Sequence, residues 1–340
     1  MDPLSQAVIG AGLAMALARP DRQKVACLAG AVGGLVPDLD VLIRSSEDPL
    51  LGLVYHRHFT HSLVLIPFIG SAVGWALGLF PRLRAVRRDL IIFAILGTAT
   101  HGLLDACTSY GTQLYWPFSN VRVAWHMVAI IDPIPTLTAL VLVALAYVRR
   151  SPRLAQSSFA FFLAYLGLSA VQRDRAAALL DRVMAERGHS GHRPVVLPTI
   201  FNNIVFRSVY EHGGQYYIDA LRVTWTGRES VRTGTTIPAA PLETVVAGLP
   251  DNSPQVQDVA TFSWFADGYL GVLPGDALGD ALGDALGDVR YAVSPESSEL
   301  LWWITLHPEN PQRHVSFVVG RSFDALARSR FLNFVVNGSD

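Results

Sequence analysis

"HRHFTHSLVLIPFIGSAVGWALGLF" spans residues 56–80 and joins a polar cluster directly to an apolar run. His56, Arg57, His58 and His61 lie before or at the start of this run, which continues to Phe80. Transferring polar groups into hydrocarbon without partners is unfavourable. The stretch therefore predicts a membrane segment with a polar site at one end.

The composition is too apolar for an ordinary soluble protein. Of the 340 residues, 51% are hydrophobic and only 16% are charged, whereas a soluble domain averages about 25% charged residues. Nearly all long apolar runs lie in residues 1–171, and 172–340 is polar. We therefore predict a polytopic membrane domain over 1–171 and an extramembrane α+β domain over 172–340. The net charge of −1, without a basic stripe, excludes nucleic acid as a partner.

The apolar runs set the number of helices. Spanning a bilayer takes about 20 residues, which favours 61–80, 90–107 and 127–148 as spans, with 155–171 next. Two earlier runs, 4–18 and 25–36, are short and rich in Gly and Ala, which suits close helix packing. The sequence predicts a membrane α-helical bundle of four to six helices. Buried helices of a soluble protein are the alternative.

Arginine distribution predicts the orientation. The connections 19–24, 81–89 and 149–153 are rich in basic residues, whereas 37–60 and 108–126 carry only Arg44, Arg57 and Arg122. Basic loops stay in the cytoplasm. The histidine-bearing loops are then expected on the non-cytoplasmic side of the inner or plasma membrane.

The second half has the pattern of a small mixed domain. Residues 172–188 are predicted to form an amphipathic helix, and 204–223 a β-hairpin around Gly213-Gly214. A second β-rich pair flanks "HPENPQ" (307–312). The repeat "GDALGDALGDALGD" (275–288) has a glycine in every turn, which disfavours a helix by about 1 kcal/mol per glycine. We predict a low-complexity loop there.

Polar clusters recur where apolar runs end. They are "PDLD" (37–40), "HRHFTHS" (56–62), "HGLLD" (101–105) and "IDPIP" (131–135). On the predicted topology all four approach the same side of the membrane. Ionisable residues at membrane segments are functional candidates by default, and four clusters on one side strengthen that interpretation.

The residue types in these clusters are those of a metal site. On a helix, His58 and His61 share a face, as do His101 and Asp105. Imidazole and carboxylate without thiolate favour Zn²⁺, with Mn²⁺ or Fe²⁺ next. The candidate metal ligands are His58, His61, His101, Asp105, Asp38 and Asp132. Asp40 and Asp38 are candidate catalytic carboxylates that orient water.

Ordinary structural roles are the alternative for each residue. A single His pair is also typical of an interfacial hydrogen-bonded pair, Asp38 and Asp40 of a turn, and Asp132 of a helix N-cap. A tetrahedral catalytic zinc needs about three protein ligands. The surplus ligands would then serve a second metal, a general base or the groups that orient the ligands.

Several stretches resemble one inner-membrane family. They are "MDPLSQAVIGAGLAMAL", "AGAVGGLVPDLDVL", "HRHFTHS", "HGLLDACTSYGTQLYWPFS" and "IIDPIPTL". In order and spacing the chain resembles the membrane-bound metal-dependent hydrolases of the YdjM/YfhP-like group. Many relatives have threonine-histidine where this chain has Ser5-Gln6, so Gln6 is expected to contact water or substrate.

The pattern and the resemblance together predict a metal-dependent hydrolase. We expect a metal-activated water to attack an ester or phosphoester, and a site at the bilayer edge suggests a lipid-linked substrate. Candidate substrate contacts are Ser62, Thr60, Ser109, Tyr110 and Gln6. The alternative is a non-enzymatic metal-binding protein: a transporter, a sensor or a metal-locked scaffold. A transporter needs polar residues through the bilayer, and the cytoplasmic halves of the spans are apolar.

Overall fold

The computed structural model describes residues 1–273, 285–320 and 325–338. The chain divides into two compact units. The helical unit comprises 1–43, 55–171 and 200–202. The mixed unit comprises 44–54, 172–199 and 203–340.

Helices dominate the chain before residue 187. They are α1 (Pro3–Leu17), α2 (Gln23–Leu35), α3 (Leu51–Tyr55), α4 (Ile66–Leu77), α5 (Arg87–Ala106), α6 (Pro133–Arg149) and α7 (Pro152–Glu186). Short 3₁₀ helices link them, including Val36–Leu42 and Phe59–His61. Aspartates cap two of these helices: the side chain of Asp2 accepts a hydrogen bond from Ser5 N at the start of α1. Asp132 accepts one from Ile134 N and begins α6.

Glycines allow α1, α2 and α5 to pack backbone against backbone. A Cβ on Gly30 would lie 2.5 Å from the Gly10 carbonyl oxygen, and one on Gly97 would lie 2.1 Å from the Gly30 carbonyl oxygen. No side chain fits at these separations. Small residues at helix contacts are typical of membrane bundles. Here they allow α2, which precedes Asp38 and Asp40, to pack closely on α5, which carries His101 and Asp105.

The membrane prediction is supported by the helices themselves. Within the described residues, Pro20–Leu42, Arg84–Ala106 and Pro152–Glu186 are long and apolar enough to cross a bilayer. A fourth candidate is the pair Leu51–His61 and Leu63–Leu77, bent by 53°. The described residues thus offer three candidate spans, or four if the bent pair counts as one, against the four to six helices predicted, and α1 and α6 are shorter apolar helices.

Two predicted segments have different bounds. The run 127–148 was expected to span, but its helix begins only at Pro133 and has 17 residues. Asp132 caps the helix and Pro133 occupies its first turn, where proline is favoured. Conversely, 25–36 looked short, yet 3₁₀ turns on both sides extend it to the candidate span Pro20–Leu42.

The runs 155–171 and 172–188 form one helix rather than two. Helix α7 continues without a break for 35 residues. The residues at the expected junction are good helix formers, and no proline follows Pro152 before Glu186. The change from apolar to polar composition therefore falls inside a helix.

The mixed unit is an α+β domain, as predicted. Its strands are β1 (His192–Pro198), β2 (Val205–His212), β3 (Gln215–Val223), β4 (Glu229–Pro238), β5 (Leu270–Val272), β6 (Ala285–Asp288), β7 (Trp302–Thr305) and β8 (Ser316–Val319). They form two antiparallel sheets, β1-β2-β3-β4 and β5-β6-β7-β8. Helices α8 (Leu242–Ala247), α9 (Pro254–Phe265) and α10 (Ala325–Asn337) complete it.

The predicted hairpin over 204–223 and the predicted β-rich pair around 307–312 are confirmed, whereas the loop predicted for the repeat is partly wrong. Strands β2 and β3 pair around Gly213 and Gly214, whose φ values of 59° and 74° suit glycine. Strands β7 and β8 flank "HPENPQ". In the repeat, 285–288 is a buried strand, because Leu286 pairs between Val272 and Ile304 in the sheet. Residues 274–284 lie outside the described residues.

Candidate metal centre

Three stretches of the helical unit bring the site together. Pro37 has no N–H to donate to the α-helical ladder, and after α2 the chain continues as the 3₁₀ helix Val36–Leu42, which carries Asp38 and Asp40. The turn Phe59–His61 supplies His61. The last turns of α5 supply His101 and Asp105. Apart from Asp38, these side chains are almost completely buried.

The first group, which we call the inner group, comprises Asp38, His61, His101 and Asp105. Asp38 Oδ1 lies 3.5 Å from His61 Nε2 and 3.3 Å from His101 Nε2. Asp105 Oδ2 lies 3.2 Å and 3.9 Å from the same two nitrogens. Bonds of 2.0–2.2 Å around a tetrahedral zinc place neighbouring donors about 3.3–3.6 Å apart. The inner group has the size and donor types of such a site.

The two imidazoles are held so that both Nε2 atoms face the same point. His101 Nδ1 lies 2.6 Å from the Gly34 carbonyl oxygen, which can only accept, so Nδ1 carries the proton. His61 Nδ1 lies 2.9 Å from Thr60 Oγ1 and 3.3 Å from Asp40 Oδ2. Metal-binding histidines are commonly oriented by a carbonyl or carboxylate on the other nitrogen.

The separation of these nitrogens indicates that a cation fits between them. His61 Nε2 and His101 Nε2 are 2.9 Å apart. With both Nδ1 atoms protonated, the neutral rings present two lone pairs to each other, and these repel unless a proton or a metal ion lies between. The donor set therefore fits a divalent cation.

Asp105 supplies a second indication. Its Oδ1 accepts a hydrogen bond of 2.9 Å from Gln6 Nε2 and contacts the Met1 amino group. Its Oδ2 is buried, forms an ion pair with Arg57 Nε at 3.0 Å and accepts no hydrogen bond from the described residues. This oxygen also faces the two histidines, so a cation bound between the rings would have it as a further ligand.

A second group, which we call the outer group, comprises Asp38, Asp40 and His56. His56 Nδ1 lies 2.9 Å from Asp40 Oδ1. The side chains of Asp38 and His56 are 24% and 25% exposed, whereas His61, His101 and Asp105 are not exposed. The inner group is therefore enclosed, and the outer group lies on its open side.

Arg57 is a site residue that the sequence analysis did not single out. Its Nε lies 3.0 Å from Asp105 Oδ2, and its Nη1 donates to Thr108 Oγ1 at 2.9 Å. The guanidinium stacks over the Tyr110 ring at 4.7 Å. Its φ of 63° is unusual for a residue with a side chain. The signal was present, because an arginine stands between two histidines beside an apolar run.

Two predicted ligands lie outside both groups. The His58 ring packs against Tyr55 and Trp116, at 5.4 Å and 5.5 Å between ring centroids. The predicted helical spacing does not hold here, because the chain turns at Arg57 and continues in a 3₁₀ helix. Asp132 caps α6 and accepts a hydrogen bond of 2.6 Å from Tyr165 Oη, which is the alternative N-cap role.

The predicted substrate contacts lie around the groups in different ways. Thr60 Oγ1 donates to Asp40 Oδ2 at 2.9 Å, and Gln6 positions Asp105. Ser62 is buried, donates to the Trp116 carbonyl oxygen and accepts from Val64 N. Tyr110 lies under Arg57 and Arg122, and Ser109 is buried next to it. Substrate contact by these residues stays a prediction.

Comparison with known proteins identifies the family. The profile of the YdjM inner membrane protein family matches residues 1–176. The chain belongs to the YdjM inner membrane protein family. The match includes every residue of the inner and outer groups, so the candidate centre lies in the part of the chain that defines this family.

One relative with a similar sequence is the uncharacterized protein YfhP of Bacillus subtilis (strain 168). It is 29% identical over 125 residues, which are 37% of this chain and 38% of YfhP. The similarity thus spans well under half of either protein. No solved structure matches the chain. The resemblance found in the sequence is confirmed at the level of the family.

Proposed function

We propose that this YdjM-family protein is a membrane-bound, metal-dependent hydrolase that acts on an ester or phosphoester. One observation carries the proposal. Two buried imidazole nitrogens, fixed by partners on their other side, converge with the buried Oδ2 of Asp105, which lies 3.2 Å from His61 Nε2 and also forms an ion pair with Arg57. Burying a charged group is unfavourable unless the group is paired or binds a metal. A buried cluster of two imidazoles and carboxylates is therefore suited to bind a cation.

Zn²⁺ is the ion that we propose first, with Mn²⁺ or Fe²⁺ next, since the donors are imidazole and carboxylate. Asp38, His61, His101 and Asp105 would hold it. When bound, such an ion supplies Lewis-acid activation and makes water a nucleophile near neutral pH.

The surrounding residues support this chemistry. Asp40 holds the His61 ring through Nδ1 and, with Thr60, fixes the turn that carries it. We propose Asp40 or Asp38 as the carboxylate that takes the proton of the attacking water. Asp38 is the more exposed of the two. Arg57 adds a fixed positive charge beside the inner group, suited to an anionic substrate.

The location suggests the substrate class. The candidate span Arg84–Ala106 ends one residue after Asp105, Pro20–Leu42 ends two after Asp40, and the first part of the bent pair ends at His61. The centre is thus near the ends of three candidate spans. A site at this depth favours an amphiphilic or lipid-linked ester, which we place on the non-cytoplasmic side from the arginine distribution.

The test is metal analysis of the purified full chain in lipid, paired with hydrolysis of a panel of carboxylic and phosphate esters. We expect a bound divalent transition metal and turnover that is lost on chelation, in His61→Ala and in His101→Ala. Wild-type protein that binds no such ion would refute the proposal. His192→Ala serves as the control, because His192 lies on β1 of the mixed unit.

A metal-locked scaffold is the second candidate, and one observation favours it. The inner group joins side chains from three separated stretches, so an ion there would hold the Val36–Leu42 turn, the Phe59–His61 turn and α5 together. This candidate predicts bound metal and a lower melting temperature after chelation, without turnover of any ester in the panel.

A further inference from the structure

Asp38 is the one residue common to the two groups that the described residues form for a metal ion. Its carboxylate faces His61 and His101 on the inner side and belongs with Asp40 and His56 on the outer side. We propose that the centre holds two divalent ions, with Asp38 shared between them, and that the substrate is a phosphoester. This inference rests on the proposed function for the inner ion.

The inner and outer groups differ in their number of donors and in their exposure. The inner group offers four donors and is enclosed. The outer group offers three donors, two of them on side chains that are about one-quarter exposed. Structural metal sites are closed, whereas catalytic ones keep a free position beside about three protein ligands. In a two-ion centre the outer ion is therefore the one that substrate reaches, and the inner ion, to which the proposed function assigns the activation of water, acts beside it through the shared Asp38.

The contacts of Asp40 indicate which of its two oxygens would bind the outer ion. Oδ2 accepts from Arg57 N at 2.9 Å and from Thr60 Oγ1 at 2.9 Å, and it faces His61 Nδ1. Oδ1 lies 2.9 Å from His56 Nδ1. The backbone and the threonine thus fix the carboxylate with Oδ1 turned to His56 and the outer side. An ordinary Asp–His hydrogen bond is the competing interpretation of this contact.

The net charge of the two-ion centre favours a phosphoester over a neutral carboxylic ester. Three carboxylates, those of Asp38, Asp40 and Asp105, and one guanidinium surround the centre. Two divalent ions would leave an excess of positive charge, which a phosphate group offsets and a neutral carboxylic ester does not. Two-metal sites are typical of phosphatases and nucleases, where the ions hold both the attacking and the leaving oxygen.

The experiment counts ions and asks whether they share a ligand. The full chain in lipid, stripped of metal, is titrated with Zn²⁺ alone and with Mn²⁺ alone. We expect two ions per chain in the wild type, one in His56→Ala and two in His192→Ala. Two Mn²⁺ ions that share Asp38 should give an exchange-coupled electron paramagnetic resonance spectrum, which His56→Ala replaces with the spectrum of an isolated ion.

Each result distinguishes this inference from the proposed function. One ion in the wild type, with an uncoupled spectrum, would overturn the two-ion centre and leave the inner site in place. No ion at all would refute both. Two ions in His56→Ala would remove His56 from the outer site and overturn the assignment. The wild-type spectrum decides the matter even where a variant does not fold.

Substrate choice is tested separately. With both ions bound, phosphate monoesters and diesters should be turned over at least tenfold faster than carboxylic esters of the same leaving group. Inorganic phosphate should inhibit the wild type. Faster turnover of the carboxylic esters would overturn the assignment of the phosphoester, whatever the number of ions.

Discussion

Gly102 lies so close to the backbone of His61 that a Cβ on Gly102 would be 2.3 Å from the His61 carbonyl oxygen. Gly102 directly follows His101 on α5. The absence of a side chain there lets the turn Phe59–His61 rest on the helix, which brings His61 Nε2 to 2.9 Å from His101 Nε2. A glycine that is not itself a ligand thus sets the separation of two proposed ligands.

Gly102→Ala should separate the two histidines. The added methyl group has to displace backbone rather than a flexible side chain, so we expect at least a tenfold loss of metal affinity together with a lower melting temperature. Gly167→Ala is the matched control, because it lies in α7 and its Cβ would have nothing within 4 Å. Alanine in place of an exposed helical glycine should stabilise by up to about 1 kcal/mol. Metal affinity as strong in Gly102→Ala as in Gly167→Ala would contradict this view.

His61→Ala and His58→Ala should differ, although the two residues stand three apart in the sequence. His61 offers Nε2 to the inner group, whereas His58 packs on Tyr55 and Trp116. We expect His61→Ala to lose bound metal and His58→Ala to retain it, as measured by mass spectrometry of the metal in purified protein. Equal losses would return His58 to the site and reject the turn geometry.

Asp40→Asn tests the carboxylate beside His61. Asparagine keeps the size of the side chain and much of its hydrogen bonding but removes the charge. We expect the variant to insert into the membrane and retain the inner ion, while hydrolysis falls about 10²–10⁴-fold, the usual contribution of a general base. The measurement is kcat with metal content determined on the same sample. Loss of one ion together with activity would instead make Asp40 a ligand of the outer ion, and full activity would exclude both roles and move the base to Asp38 or Asp132.

Arg57→Gln should destabilise the helical unit. Arg57 is 5% exposed and forms an ion pair with the fully buried Asp105. Removing one partner of a buried pair is unfavourable by about 3–5 kcal/mol, since the other charge stays buried. Unfolding of the full chain in lipid should show this loss. Arg82→Gln, at an exposed arginine, should leave stability within about 0.5 kcal/mol of the wild type.

Reporter fusions test the orientation. The basic connections are expected in the cytoplasm, so an enzyme that is active only outside it should be silent when fused near Arg84. The same enzyme should be active when fused near Ser119. The reverse pattern would place the metal centre on the cytoplasmic side.

Local patterns in the sequence were enough to predict much of the fold of this protein and one pair of residues in the candidate site. His101 and Asp105 share one helix, so their spacing predicted their approach, and the Gly213-Gly214 turn predicted its hairpin. Both rest on contacts between neighbours in sequence. The polar cluster at the start of 56–80 also indicated one place where ionisable residues of the helical unit meet.

Contacts between distant segments were beyond the sequence. Whether His56, His58 or His61 reaches the centre depends on the left-handed backbone at Arg57 and on the fit of the turn against Gly102. Neither leaves a periodic signal. Asp40 differs from Asp38 through its contacts with His56, Thr60 and Arg57, which lie elsewhere in the chain. The continuity of α7 was missed because its composition changes while its helix propensity does not.

An ion bound at the inner group would also make the stability of the folded protein depend on the concentration of that ion. Its donors converge only in the folded chain, so an ion that binds them shifts the folding equilibrium by mass action. At a free concentration one hundred times the dissociation constant, this shift is worth about 2.7 kcal/mol, a difference large enough to change abundance several-fold in a cell that degrades unfolded chains. A cell short of the ion would then lose the protein itself, and the amount of protein in the membrane would follow the metal supply.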